Sequence, residues 1–336
     1  MNKTAIICSG GDGSGINSVI DVISKNANID LYGFDNSFDG IIHSKPIQLT
    51  RDHCSHHSLD GKQLILTSRS KAPYTKEGRQ LIQKKLQENN FEYLIVCGGN
   101  GSKKAATLLE EDGVKTIFIP MTVDNDVGGS EYSIGFDTAL NRVTSIVHDL
   151  HDTAHNMPGR IFMVEVLGGN CGNLALHSAI ATASDMSLIP EFPVNHEKIS
   201  EKIKEKLKFQ DAIIIICSEA AYENENYKTG EQGVSFEIAD EIEKNTNIRV
   251  RKSIVGFSMR SGNPTFKDAM VATRMGMAAV EHIEDDNTGF MIGIVDDAVH
   301  SISLKNDEDF NNNLNKKILE LAIKKDLIIE GEKKYD

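Results

Sequence analysis

Within the run Pro120-Met121-Thr122-Val123-Asp124-Asn125-Asp126, seven residues carry a hydroxyl, two carboxylates and a carboxamide. The run follows directly on Thr116-Ile117-Phe118-Ile119, whose apolar character reads as a buried parallel strand. Parallel sheets bind ligands at the carboxyl ends of their strands, so clustered acids in that place mark an active-site edge. Two glycine-rich turns lie upstream. Cys8-Ser9-Gly10-Gly11-Asp12-Gly13-Ser14-Gly15-Ile16-Asn17 reads as strand, turn and helix, and Cys97-Gly98-Gly99-Asn100-Gly101-Ser102 repeats that order. Glycines let a backbone approach a phosphate closely, and the helix that follows offers unpaired N–H groups and a positive dipole end. Taken singly, each turn is equally an ordinary tight turn, and Asp124 and Asp126 are equally solvated turn residues. Three that agree ask for one large anion and a divalent metal. A nucleoside triphosphate with Mg2+ meets that requirement, because carboxylates suit a hard cation that bridges phosphate oxygens.

The elements that must position these turns follow from the apolar pattern. Strand-length runs at Ala5–Cys8, Tyr93–Cys97, Thr116–Ile119, Ile161–Val166, Ala212–Cys217, Ile254–Phe257 and Phe290–Val295 alternate with helix-like stretches such as Lys76–Glu88, Ser102–Glu111, Phe136–His151 and Asn311–Lys325. Such alternation predicts βαβ units and an α/β fold with parallel sheets. The polar stretch Tyr222–Gly233 reads as an exposed loop without chemistry. At 336 residues and 40% hydrophobic content the chain can bury ample core, and its length suggests two domains.

No stretch of 18 apolar residues occurs, so no membrane helix is expected. The start, Met1-Asn2-Lys3-Thr4, runs straight into an apolar strand without the features of a signal peptide, which predicts a cytoplasmic protein. The net charge of −13 argues against a general nucleic-acid or anionic-membrane binder, although a local basic cleft for phosphate remains compatible with it. The five cysteines are scattered and mostly within apolar runs, as reduced, buried thiols would be.

Taken in order, Gly10-Gly11-Asp12-x-x-Gly15-x-Asn17, Gly98-Gly99-x-Gly101-Ser102, Pro120-x-Thr122-x-Asp124-Asn125-Asp126, Gly135-Phe136-Asp137-Thr138-Ala139, Val164-Glu165-Val166-Leu167-Gly168, Pro190-Glu191 and Arg260-x-Gly262-x-Pro264 resemble the bacterial, ATP-dependent phosphofructokinases. The resemblance is collinear from Ala5 to about Ala298, and the chain is similar to a divergent member of that family. It implies a phosphofructokinase-like fold of two Rossmann-like domains with mainly parallel sheets and an active-site cleft between them. Residues 1–135 and 263–300 would form the nucleotide domain, and 136–262 and 301–336 the sugar-phosphate domain. The implied reaction is phosphoryl transfer from ATP to fructose 6-phosphate.

The roles implied are specific. Asp124 matches the base that takes the proton of the sugar 1-hydroxyl, with Thr122 and Asp126 as neighbours that bind sugar and organise Mg2+. Arg69 matches an arginine that neutralises the transferring phosphoryl group. Gly11, Gly99, Asn100, Gly101 and Ser102 match the nucleotide cradle, Phe38 falls beside the adenine, and Asn100 and Asp126 stand at the metal. On the acceptor side, Arg160, Arg251 and Arg260 match arginines for the sugar 6-phosphate, Glu191 a carboxylate for sugar hydroxyls, and Leu167, Gly168, Gly169 and Phe257 further pocket positions. Arg160 and Arg251 correspond to residues that reach a neighbouring subunit's site, which implies a homo-oligomer, as a rule a tetramer.

Three departures stand out. Asn100 replaces an aspartate that helps to place Mg2+, Gly169 replaces an arginine near the transferring group, and Phe257 replaces a phosphate-binding histidine. Losing one phosphate-clamping arginine can cost about 10²-fold in rate. Gly101 favours ATP over pyrophosphate as donor, because the pyrophosphate-using branch carries Asp there, and Met121 stands where that branch carries Lys. Asp21, Lys25, Arg51 and His151 keep only part of a cationic effector site. The residues therefore leave open a kinase for fructose 6-phosphate, a kinase for another sugar or sugar phosphate, and a catalytically weak homologue that binds nucleotide or phosphosugar as a regulator.

Overall fold

The computed structural model describes residues 1–11, 13–221, 233–305 and 314–329. Asp12 and all of the polar stretch 222–233 except Gly233 lie outside the described residues. Contacts divide the chain into two units, Met1–Thr138 with Arg260–Asn311, and Ala139–Met259 with Asn312–Asp336.

Among the described residues, the first unit holds a seven-stranded sheet made of β1 (Asn2–Ser9), β2 (Ile29–Phe34), β3 (Ile47–Gln48), β4 (Tyr93–Gly98), β5 (Thr116–Pro120), β10 (Phe290–Val295) and β11 (Ala298–Ser303), in the order β11-β10-β5-β4-β1-β2-β3. The five central strands run parallel, and β3 and β11 are antiparallel edges. Continuous apolar strands such as Tyr-Leu-Ile-Val-Cys in β4 are buried along their length, as a parallel sheet covered on both faces requires. Phe34, Phe38, Leu94, Val96, Leu109 and Phe118 form part of one core. Each fully buried side chain of that size contributes about 1.5–3 kcal/mol. All five cysteines are buried free thiols, and Cys8 stands opposite Cys97 in register. Burial pushes both thiols up.

In the second unit, β6 (Arg160–Val166), β7 (Met186–Leu188), β8 (Ala212–Ser218) and β9 (Val250–Ile254) form a parallel sheet in the order β7-β8-β6-β9. The strand expected at Ile254–Phe257 is corrected here. The strand is Val250–Ile254, and Gly256–Arg260 turns as a 3₁₀ helix. Arg251 and Lys252 disguise the true strand in the sequence. Gly256, with φ 55°, marks the change of direction.

The division into units falls three residues from each of the boundaries 135 and 262 suggested by the motifs, and at Asn311 rather than 300 for the last one; the first two have a local reason. Asp268 in the helix Phe266–Glu284 is 0% exposed. Its carboxylate accepts from the Tyr132 hydroxyl at 2.7 Å, the Gly135 N–H at 2.8 Å, and the N–H and hydroxyl of Thr138 at 2.7 and 2.5 Å. Those bonds hold the first turn of the helix Phe136–Asn156 in the first unit. On the other side, the Ser14 hydroxyl donates to the Gly262 carbonyl at 2.7 Å, and the Gly61 N–H donates to Asn263 Oδ1 at 3.1 Å. The segment from Arg260 onward therefore belongs with the first glycine turn.

Replacing Asp268 by Ala leaves four buried donors without their acceptor, and is expected to destabilise the fold by about 3 kcal/mol or more. Tyr132→Phe removes one donor and should cost about 1 kcal/mol. Urea midpoints of both variants measure the difference. Equal midpoints for Asp268→Ala and Tyr132→Phe would show that the carboxylate does not organise this junction.

Candidate active site

β1, β4 and β5 are neighbours in one sheet, and the two glycine turns and the acidic run leave their carboxyl ends side by side. The register sets Ser9 opposite Gly98 and Gly98 opposite Pro120. The Ser102 hydroxyl, at the start of the helix Asn100–Glu111, donates to the Ser9 carbonyl at 3.0 Å, and the Met121 N–H donates to the Gly98 carbonyl at 2.8 Å. Gly98 is required in this seam, because a Cβ there would lie 2.3 Å from the Ser9 carbonyl oxygen and 2.4 Å from Ser102 Oγ. No side chain caps the helix that follows, so its first N–H groups face the turn. Arg69 joins the same edge. Ser9 bridges Ser68, the Gly10 N–H donates to the Ser68 carbonyl at 3.0 Å, and the Thr67 hydroxyl donates to the Gly10 carbonyl at 3.2 Å. Arg69 itself is exposed.

In the acidic run, Met121, Val123, Asn125 and Val127 are buried, while Thr122, Asp124 and Asp126 are half-buried. The half-buried positions of the run are thus the hydroxyl and the two carboxylates, while the residues between them pack. Asn125, in the left-handed region at φ 50°, braces the turn. Its Nδ2 donates to the Glu131 carbonyl at 3.1 Å and its Oδ1 accepts from the Ser133 N–H at 2.7 Å. The Asp124 N–H donates to Thr122 Oγ at 3.2 Å.

Asn100 reaches across from the second turn. Its Nδ2 donates to the Asp126 carboxylate at 2.8 Å and to the Asp126 carbonyl at 3.2 Å. Its Oδ1 is buried without a hydrogen-bond partner. Burial pushes the Asp126 carboxyl up, and the Asn100 amide pulls it back. The donor set fits Mg2+, which takes one or two protein oxygens and fills its other positions with water and phosphate. Asn100 Oδ1 is an orphaned oxygen beside a carboxylate, although no group of three or more His, Cys, Asp or Glu able to hold a metal occurs among the described residues.

The structure corrects the placement of Phe38. It is 1% exposed and packed with Phe34 and Ile41 in the core, so its ring is not offered to a base. Two residues were not legible beforehand. The Tyr74 hydroxyl lies 3.0 Å from where a Gly101 Cβ would stand, over the second turn. The Lys103 ammonium, pushed down to about 8 by burial, donates to the Gly128 carbonyl at 2.8 Å and fastens the chain just beyond Asp126. Only an amphipathic pattern interrupted by a lysine signals the second.

The second unit carries the other matched residues. Leu167, Gly168 and Gly169 follow the carboxyl end of β6, and Glu191 follows β7. The N–H groups of Gly168 and Gly169 donate to Glu219 Oε1 at 3.2 and 2.9 Å. Glu191 Oε1 accepts from the Gly172 N–H at 2.8 Å. Arg160 opens β6 at its opposite end, and Arg251 stands beside Phe162 near that same end. An extended strand rises about 3.3 Å per residue, so Arg160 and Leu167 stand roughly 20 Å apart. Phe257 is 77% exposed. Of the effector-site positions, Lys25 is paired with Asp21 at 2.7 Å, and His151 Nε2 lies 2.8 Å from the Thr182 carbonyl.

The family model for phosphofructokinase matches residues 3–283. The chain belongs to the phosphofructokinase family. An ATP-dependent 6-phosphofructokinase of Clostridium tetani is 33% identical over 326 residues, covering 96% of this chain and 98% of that protein. One from Natranaerobius thermophilus is 36% identical over 301 residues, with 88% and 90% covered. The crystal structure of Pichia pastoris phosphofructokinase shares the fold with a TM-score of 0.82 at 24% identity, covering 97% of this chain. The chain spans 37% of the length of that yeast chain.

Asn100→Asp tests the pairing with Asp126. It removes the amide donor and sets a second carboxylate in its place, which raises the Asp126 carboxyl further. A folded-state carboxyl above its unfolded value binds its proton more tightly when folded, so the loss of stability is largest at neutral pH and shrinks as pH falls. At pH 7.5 without metal the variant should lose about 1–3 kcal/mol. Thermal unfolding at pH 7.5 and 5, with and without Mg2+, should show the loss reduced by either acid or metal.

Proposed function

We propose that this phosphofructokinase transfers the γ-phosphoryl group of ATP to the 1-hydroxyl of fructose 6-phosphate, giving fructose 1,6-bisphosphate and ADP. The observation that carries the reading is the shared edge of β1, β4 and β5, where Thr122, Asp124 and Asp126 are the half-buried members of the acidic run and the Arg69 segment runs alongside. The relatives named ATP-dependent 6-phosphofructokinase span nearly the whole chain and support the same donor and acceptor.

In this reading Asp124 accepts the proton of the 1-hydroxyl as the phosphorus–oxygen bond forms, and Thr122 helps to orient the sugar. The N–H groups of the glycine turns hold the donor phosphates, and the exposed Arg69 guanidinium offsets charge on the transferring group. Asp126 and Asn100 Oδ1 would hold Mg2+, which neutralises charge across the donor phosphates when bound. Glu191 and the Leu167-Gly168-Gly169 turn would receive the sugar. Gly101 carries no side chain where the pyrophosphate-using branch carries Asp, consistent with ATP.

The protein acts as a homo-oligomer, a tetramer in the family pattern. Arg160 and Arg251 lie at the opposite end of their sheet from Gly168 and Glu191, so they serve an acceptor site by reaching that of another copy. Sedimentation of the full chain checks this, a monomer at micromolar concentration being the contrary result. A second reading, a kinase for a different acceptor, is favoured by the Gly168-Gly169 turn, whose N–H groups are already engaged by Glu219.

Coupled ADP release, measured with fructose 6-phosphate and with a panel of sugars and sugar phosphates, separates these readings. Asp124→Ala should lower kcat by about 10²-fold to 10⁴-fold on the preferred acceptor. No turnover by wild type on any acceptor, or equal turnover by the variant, would sink the kinase reading. Gly169→Arg is a poor restoration on its own, because Gly169 sits at φ 55°, where a side chain costs about 1–2 kcal/mol.

A further inference from the structure

A group of histidines that the reaction does not use lies in the first unit, on the seven-residue helix Arg51–His57 and the turn after it. His53 and His57 are one helical turn apart, so they share a face. His53 is exposed, and the side chain of His57 is 43% exposed. Their ring centroids stand 5.0 Å apart, with the planes inclined at 63°. A transition-metal ion about 2.1 Å from an imidazole nitrogen lies about 3.2 Å from that ring's centroid, so two imidazoles at about 90–110° around one ion have centroids about 4.6–5.3 Å apart. The observed separation falls inside that interval. The following turn also selects the free nitrogen of His57. Its Nδ1 lies 2.7 Å from Asp60 Oδ2. An ionised carboxylate only accepts, so in the neutral ring Nδ1 carries the proton and Nε2 keeps its lone pair. The backbone beneath is held by the buried Asn17, whose Nδ2 donates to the carbonyls of His57 at 2.9 Å, Asp60 at 3.2 Å and Lys62 at 2.9 Å.

We propose that His53 and His57 form a site for a divalent transition-metal ion of the Zn2+ type, with water completing its coordination. Imidazole suits Zn2+, Ni2+ and Cu2+, whereas Mg2+ takes oxygen, so the site differs in chemistry from the Asn100 and Asp126 pair. Asp60 stands behind His57 as the carboxylate that orients a ligating ring. The site has two protein ligands, as no group of three or more ligating His, Cys, Asp or Glu occurs among the described residues. His56 is the next residue before His57 and points about 100° away around the helix, so it does not share the face. A helix of this length is marginal by itself, and an ion that bridges one of its turns stabilises the folded chain by mass action.

Isothermal titration of the full chain with ZnCl2, with excess Mg2+ present to fill the carboxylate site, tests this without turnover. His53→Ala should weaken Zn2+ binding about tenfold or more, because a single imidazole cannot chelate. Asp60→Asn keeps both ligands and loses the orienting charge, and should weaken binding about tenfold. His56→Ala should leave the affinity within about twofold of wild type, since its ring lies off the shared face. Zn2+ should also raise the thermal midpoint of wild type and leave that of His53→Ala where it was. His53→Gln replaces one exposed polar side chain by another, and it carries the test if the alanine variant does not fold. The proposal is overturned if wild type binds no Zn2+, if both His53 variants bind it within about twofold of wild type, or if His56→Ala loses as much affinity as His53→Ala.

Discussion

A single buried carboxylate ties the point where the chain leaves the first unit to the helix on which it comes back. Asp268 is sealed from water, and a charge so placed is tolerable only when its oxygens are saturated with donors. Tyr132, Gly135 and Thr138 provide them, and all three lie where the chain leaves the first unit to build the second. Asp268 itself opens the helix on which the chain has returned. Departure and return are thereby fixed to one point. Burial raises the carboxyl while its donors lower it, and the Tyr132 hydroxyl is driven upward by the same surroundings.

From that anchored segment the acidic run extends back to the carboxyl end of β5, and its geometry rests on two further economies of structure. Alternating burial sorts the run into packing residues and chemical residues, across a turn at Val123-Asp124 and a left-handed Asn125. Asn125 spends both ends of its carboxamide on backbone groups, so the acid on either side is held by a residue that does no chemistry itself. Asn100 does the reverse. Its amide pairs with Asp126 through hydrogen bonds, where two facing carboxylates would require a cation to coexist.

Much of this was legible in the sequence because parallel strands buried on both faces are continuous apolar runs. β1, β4, β5, β6, β8 and β10 all show one, and the glycine turns and acids at their ends could be placed on that basis. β9 was misplaced because Arg251 and Lys252 interrupt its apolar pattern, while the apolar residues after it belong to a 3₁₀ turn. The short β7 and the edge strands β3 and β11 carry too few apolar positions to stand out. Phe38 illustrates a different limit. A motif position fixes where a residue lies along the chain, but rotation about the short helix that carries it decides whether the ring meets a ligand or the core. Tyr74 over Gly101 and Arg260 over Gly11 are contacts between residues 27 and 249 positions apart, with no periodicity to announce them.

The order of the first sheet also bears on how the chain is made. β5 lies between β4 and β10, yet β10 is synthesised only after the 121 residues of Ala139–Met259 have emerged. Until then β5 is an edge, with open backbone groups and the apolar side chains of Ile117, Phe118 and Ile119 at the border of an unfinished sheet. The second unit's sheet, in contrast, is complete in one continuous stretch, β6 to β9. On the ribosome the inserted unit can close first, and the first unit's nascent sheet waits with an adhesive margin that makes it the aggregation-prone half of the chain during synthesis.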